Sequence, residues 1–287
     1  MNDLGPDPQS HFVESNGVRL HYLDWGTAGK APIVLLHGIR LHARVWSDFC
    51  RDFRSDHHVM ALDHRGHGDS GWPSDGVYRF DDYCDDLERM LDSRGLEQVT
   101  LLGHSLGARV AVQYTHRHPE RVRRLVLVDM RTVFTAEARA QDFTRVTETP
   151  PPQDFASHEE AIEYLGGILR RAPRQHIVDS VTHGMRRLPS GRFTWKYDPR
   201  LGNRPLPRPG QPQWDLWGAM KSVRCPALML HGEHSRVSSE QVLKELAANM
   251  PRARVERIDD AGHALFTDQP RAFSASVARF LAETDAE

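Results

Sequence analysis

The stretch "QVTLLGHSLGAR", residues 98–109, decides the fold. Residues 98–105 form a short apolar run of strand length, and residues 106–119, "LGARVAVQYTHRHP", read as a helix stopped by Pro119. Between them Gly103, His104, Ser105, Leu106 and Gly107 spell G-x-S-x-G. A serine on a tight strand-to-helix turn exposes its Oγ, and the turn leaves no room for a side chain at either glycine. The first helical amide, that of Leu106, has no partner inside its own helix and is free to bind a developing oxyanion.

Working outward, the first half of the chain alternates strands with helices. "VRLHYLDW" (18–25) alternates like a half-exposed strand, and "APIVLLHG" (31–38), "HHVMALD" (57–63) and "VRRLVLVDM" (122–130) read as buried ones. "FDDYCDDLERMLDSRG" (80–95) places Tyr83, Leu87, Met90 and Leu91 at helical spacing and stops at Gly95. Strands apolar on both faces, alternating with helices, predict an α/β fold with a mostly parallel central sheet and helices on both faces. From about residue 131 to 224 the pattern breaks. That stretch shows no buried strand. It carries a helix at 157–171, with a capping box from Ser157 to Glu160, a second helix at 174–188, and a proline-rich connector at 204–212. The sheet pattern resumes with "CPALMLHG" (225–232), a helix at 239–249, the strand "ARVERID" (253–259) and a terminal helix at about 270–283. The expected domains are therefore a core of residues 1–130 and 225–287 and a mainly helical inserted cap or lid of residues 131–224.

Composition limits what such a fold does. The chain has 287 residues and a net charge of −2, with no long charge run, so neither a nucleic-acid partner nor a membrane partner is expected. The N-terminus shows no apolar signal region, and Cys50, Cys84 and Cys225 are odd in number and far apart, which fits reduced thiols in the cytoplasm. Residues 131–224 hold 15 basic and 10 acidic side chains, a net of +5, which suits either a solvated outer face or an anionic or carbonyl-rich substrate. "GHGDSG" (66–71) matches G-x-G-x-x-G, but no helix follows it, so no dinucleotide site is expected. Seventeen histidines invite a metal reading, but no H-E-x-x-H occurs, and neither metal nor cofactor is expected.

Two further segments end where the elbow ends. "LLHGIR" supplies His37 and Gly38 at a strand terminus, and the amide of Ile39 after them is the second oxyanion donor. His37 itself reads as a structural histidine. "DDAGHALF" carries His263 on the loop after the last strand, at the carboxyl edge of the sheet, where ligands bind in open α/β folds. His263 is the expected general base for Ser105.

With "LLHGIR", "ALDHRGHGDS", "LLGHSLGAR" and "DDAGHALF" in this order and spacing, the chain resembles the α/β-hydrolase superfamily over nearly its whole length, in particular serine esterase- or lactonase-like members with a helical cap. The resemblance implies an aspartate three residues after Gly232 as the third catalytic group, yet that position is Ser235. Some members carry the acid at the end of the strand that follows the nucleophile's, which here points to Asp129. Glu233 is the alternative acid, and a Ser105–His263 dyad helped by Ser235 is a third arrangement. The expected activity is hydrolysis of a carboxylic ester, lactone or thioester through an acyl-enzyme, on a small-molecule carbonyl substrate, by a monomer or homodimer. C–C bond hydrolysis of a β-diketone-type substrate is a second reading, and small-molecule binding on a hydrolase frame a third. Epoxide hydrolase and haloalkane dehalogenase chemistry is disfavoured, because such relatives use an aspartate where Ser105 stands. His104, Arg40, Trp195, Arg192 and Trp214 are the candidate pocket residues.

Overall fold

The computed structural model describes residues 7–130, 152–202 and 215–285. Strands β1 (Gln9–Ser15) and β2 (Val18–Asp24) form a hairpin closed by Asn16 and Gly17, at φ 47° and 75°. An Asn-Gly pair favours this two-residue turn because both positions need positive φ. The strands β3 (Pro32–Leu36), β4 (His58–Leu62), β5 (Val99–His104), β6 (Val122–Val128), β10 (Ala227–Gly232) and β11 (Ala253–Ile258) run parallel. The sheet order is β1-β2-β4-β3-β5-β6-β10-β11, with β2 antiparallel to both neighbours.

The central strands are apolar throughout because helices cover both faces. Val34, Leu36 and Leu101 point to the face packed by α2 (Phe80–Ser93), α3 (Leu106–Arg117), α6 (Leu216–Ser222) and α7 (Glu240–Ala247). Ile33, Leu35 and Leu102, one residue out of step, point to the face packed by α1 (Ser47–Phe53), α8 (Leu265–Asp268) and α9 (Pro270–Asp285). A strand's two-residue period divides a continuous apolar run between two cores in this way. Cys50 and Cys84 are buried free thiols; Cys84 is pushed up to about 12 by burial, so it behaves as a small hydrophobe.

Between β6 and β10 lie α4 (His158–Ile168) and α5 (Arg174–Gly184), and with them a feature the sequence pattern missed. Strands β7 (Asp154–Phe155), β8 (Met185–Arg187) and β9 (Phe193–Trp195) make a small antiparallel sheet in the order β7-β9-β8. The helix expected over 174–188 stops at Gly184, and its last residues pair with β9 instead. This insert has its own small core of Phe155, Ala161, Val181 and Met185. Ser157 caps α4 by accepting from the Glu160 amide at 3.2 Å, while the Glu160 carboxylate returns to the amide of Ala156, one residue before the cap. No helix of the described residues is long and apolar enough to cross a membrane.

Candidate active site

Ser105 sits between β5 and α3 with φ 50° and ψ −103°, a left-handed backbone that costs a non-glycine residue roughly 1–3 kcal/mol. Its own amide donates to the Val128 carbonyl at 3.0 Å, which anchors the turn to β6. The two glycines are dictated by contact. A Cβ on Gly107 would lie 2.2 Å from the Leu36 carbonyl oxygen, and one on Gly103 would lie 2.4 Å from the Gly107 carbonyl oxygen. The helix therefore starts hard against β3, and the amides of its first turn have no acceptor within the helix itself. The loop after β3 approaches the same point: a Cβ on Gly38 would lie 3.4 Å from the Ser105 Cβ. His37, fully buried, fixes this loop by donating from Nδ1 to the Gly38 carbonyl at 2.7 Å and accepting at Nε2 from the His64 amide at 3.0 Å. Burial holds its imidazole well below its ordinary range, in keeping with this neutral tautomer.

Asp129, the candidate acid, reaches the histidine loop from the end of β6. Asp129 follows β6, is fully buried, and its φ of 42° turns the side chain out of the strand line. Its Oδ2 accepts from His263 Nδ1 at 2.6 Å. Ser235 donates to the same oxygen at 2.5 Å, and Ser238 donates to Oδ1 at 2.5 Å. Ser238 in turn accepts from His231 Nδ1 at 2.8 Å, and that nitrogen lies 3.4 Å from Asp129 Oδ1. Burial alone would raise the carboxyl group, but hydrogen bonds from His231, His263 and Ser235 and the charge of a protonated His263 outweigh it and hold the carboxyl well below its usual range. The residue standing where the aspartate was expected thus carries a hydroxyl that holds the aspartate of the neighbouring strand.

Ser105, Asp129 and His263 all stand at the carboxyl edge of the sheet, where the loop holding Gly38 also approaches Ser105. Other candidates fall elsewhere. Glu233 is exposed, and its Oε2 accepts from the Asp260 amide at 3.0 Å, so it braces the histidine loop from outside while Nδ1 of His263 is occupied by Asp129. His104 does not line a pocket, because it is 2% exposed and packed behind the elbow. Its Nε2 donates to the His263 carbonyl at 3.0 Å and its ring centroid lies 4.5 Å from that of His263. Burial lowers its imidazole to about 3, so it is a neutral buttress of the histidine loop. Arg192 is paired with Asp154 at 2.8 Å across the small sheet. Trp195 packs edge-on to Phe155 and parallel to Tyr197. Arg40 has its guanidinium 5.7 Å from the centre of the Tyr197 ring. Trp214 lies outside the described residues. Ser238 and His231 were not singled out in the sequence.

Two groups of side chains among the described residues have metal-ligand chemistry. In His21, Asp63 and Asp69 the ring nitrogens of His21 are already committed to Asp63 and Ser10. The other, Glu233, His234 and Asp260, is wholly exposed.

A sequence model described as the alpha/beta hydrolase fold matches residues 31–270. The chain belongs to the α/β-hydrolase family. Similar proteins carry different named activities. An esterase of Mycobacterium tuberculosis is 27% identical over 93% of this chain and 87% of its own length. An esterase of Escherichia coli is 26% identical over 88% of this chain and 93% of its own. A cis-3-alkyl-4-alkyloxetan-2-one decarboxylase of Shewanella oneidensis is 24% identical over 96% of this chain and 89% of its own. Among solved structures, E-2-(acetamidomethylene)succinate hydrolase superposes with a TM-score of 0.83 at 24% identity, covering 96% of this α/β hydrolase and 99% of that chain.

Proposed function

We propose that this α/β hydrolase cleaves a carboxylic ester, lactone or thioester through an acyl-enzyme formed on Ser105. His263 takes the Ser105 proton as its Oγ attacks the carbonyl, and then delivers that proton to the leaving group. The Ile39 and Leu106 amides receive the oxyanion, and water activated by His263 releases the acyl group. Asp129 holds His263 in the tautomer that leaves Nε2 free to accept the proton, and offsets the charge on the imidazolium. Residues 131–224 serve as the cap over a core of residues 1–130 and 225–287.

The observation that carries this reading is the 2.6 Å bond from His263 Nδ1 to a buried carboxylate. A ligand-binding protein on a hydrolase frame has no need to keep that charge buried at the histidine. The named activities of the two esterase relatives point the same way. The C–C hydrolase reading would favour a free arginine or tryptophan of the insert near Ser105, whereas Arg192 is tied to Asp154 and Trp195 packs against Phe155 and Tyr197.

The test is turnover of short-chain 4-nitrophenyl esters by the wild type and by Ser105→Ala. Multiple turnovers by the wild type, with rates reduced to near background in the variant, support the reading. Saturable binding of the same esters without turnover would transfer it to a binding role.

A further inference from the structure

Arg40 stands directly after Ile39, on the loop that brings its backbone against Ser105, and it holds a left-handed φ of 62°. A bulky side chain rarely adopts that backbone, so this position sets where the guanidinium can go. The guanidinium lies 5.7 Å from the centre of the Tyr197 ring, within cation–π range. Tyr197 belongs to the insert, is bridged through its backbone to His67 of the core, and lies parallel to Trp195, with ring planes 9° apart. Arg40 therefore lies between the loop after β3 and the insert, within reach of the face of a neutral ring.

The charge of Arg40 has no acidic partner among the described residues. It makes no ion pair and no hydrogen bond with any described residue. Arg65, Arg94 and Arg121 of the core each end on a carboxylate, at 2.6, 2.8 and 2.7 Å. Burial and the nearby Tyr164 push the Tyr197 phenol up to about 12 against the pull of Arg40, so the ring gives contact without a negative charge. A guanidinium with five donors, beside an aromatic face and with no acid among the described residues, matches a planar carboxylate of a ligand.

We infer that Arg40 is a specificity-determining residue, and that the substrate is an ester, lactone or thioester bearing a free carboxylate near its scissile carbonyl. This inference rests on the hydrolase reading above. In the complex the carbonyl oxygen sits against the Ile39 amide, and the carboxylate pairs with the guanidinium of the next residue along. The net charge of +5 over residues 131–224 adds long-range attraction for the same anion.

The experiment measures kcat/KM by pH-stat for the methyl half-esters of succinate, glutarate and adipate, each against the uncharged methyl ester of the same acyl length. The wild type is expected to prefer at least one half-ester over its neutral counterpart, and this preference weakens as salt rises. Arg40→Gln is expected to lower the charged-to-neutral ratio about 10–100-fold, mainly through KM, while Arg40→Lys keeps part of it. A structural clasp alone would make both ester series fall together and leave the ratio unmoved. An unmoved ratio, or a wild type that favours the neutral esters, overturns the inference and leaves the hydrolase reading intact. Failure of the wild type on both series and on 4-nitrophenyl esters would instead sink the hydrolase reading.

Discussion

Two adjacent strand ends divide one job. β6 ends in Asp129 and β10 runs into Ser235, and the two side chains meet at 2.5 Å beneath His263. The carboxylate comes from β6, and β10 with its following loop supplies donors: Ser235, Ser238 and, through Ser238, His231. What matters to the histidine is the point in space where the carboxylate lies, and a neighbouring strand can reach that point if its last residue turns inward. The φ of 42° at Asp129 is that turn, and the amide of Asp129 is tied to the Leu230 carbonyl at 2.8 Å, so the two strand ends are registered to each other. An aspartate at both positions would bury two like charges. The serine at 235 avoids that and stabilises the single charge by hydrogen bonding.

This division of roles predicts unequal effects. The largest belongs to Asp129→Asn, which keeps the shape and loses the charge and the correct tautomer; kcat/KM on an ester substrate is expected to fall by about 10³–10⁴. Next, moving the acid back should restore part of that loss. Asp129→Asn combined with Ser235→Asp puts the only carboxylate on the β10 side, and kcat/KM is expected to rise by about tenfold or more over Asp129→Asn alone. No recovery in a natively folded double variant would mean that position 235 cannot present a carboxylate to His263. Smaller again is Ser238→Ala, which removes one donor from Oδ1. About 1–3 kcal/mol of stability and a few-fold in kcat are expected, read by denaturant titration and by steady-state kinetics.

The same carboxylate has a signature in pH. Its folded value is depressed below the ordinary 3.8, so the unfolded chain binds its proton more readily. The stabilisation is full above that value and is lost as pH falls through the depressed one. The stability difference between wild type and Asp129→Asn should shrink below about pH 4. The buried imidazoles act higher up. Burial holds His64 and His104 at about 3, so each gains a proton on unfolding below 6.5. Stability is expected to fall from pH 6.5 downward by about 1.4 kcal/mol per pH unit for each such histidine, followed by denaturant titration at several pH values.

Much of this was legible in the chain, for physical reasons that differ from residue to residue. The G-x-S-x-G turn could be read because its glycines are forced by contacts with the Leu36 and Gly107 carbonyls, and such contacts leave a fixed spacing. Asp129 could be suspected because Ser235 left a vacancy and a strand-terminal aspartate lay next door. The clamp around it was not legible. Ser235, Ser238 and His231 converge only through the loop that follows β10, whose turn bonds Ser235 back to Gly232 at 2.9 Å, and no periodicity marks such a loop. The small sheet of the insert escaped for another reason: strands of two and three residues are too short to show an alternation. His104 reads as a pocket residue from its place beside the nucleophile, and its burial shows only in the fold. Its place under the elbow is set by Gly38, where a Cβ would come within 2.6 Å of its Nδ1.

The most direct measurement is the rate at which a fluorophosphonate labels the wild type, Asp129→Asn and Glu233→Gln, with the labelled residue located by mass spectrometry and native folding checked by circular dichroism. Labelling is expected at Ser105, slowed by about 10³-fold or more in Asp129→Asn and left within about twofold in Glu233→Gln. Equal labelling of wild type and a folded Asp129→Asn would contradict this expectation, and would leave Asp129 as a structural cap at the end of β6.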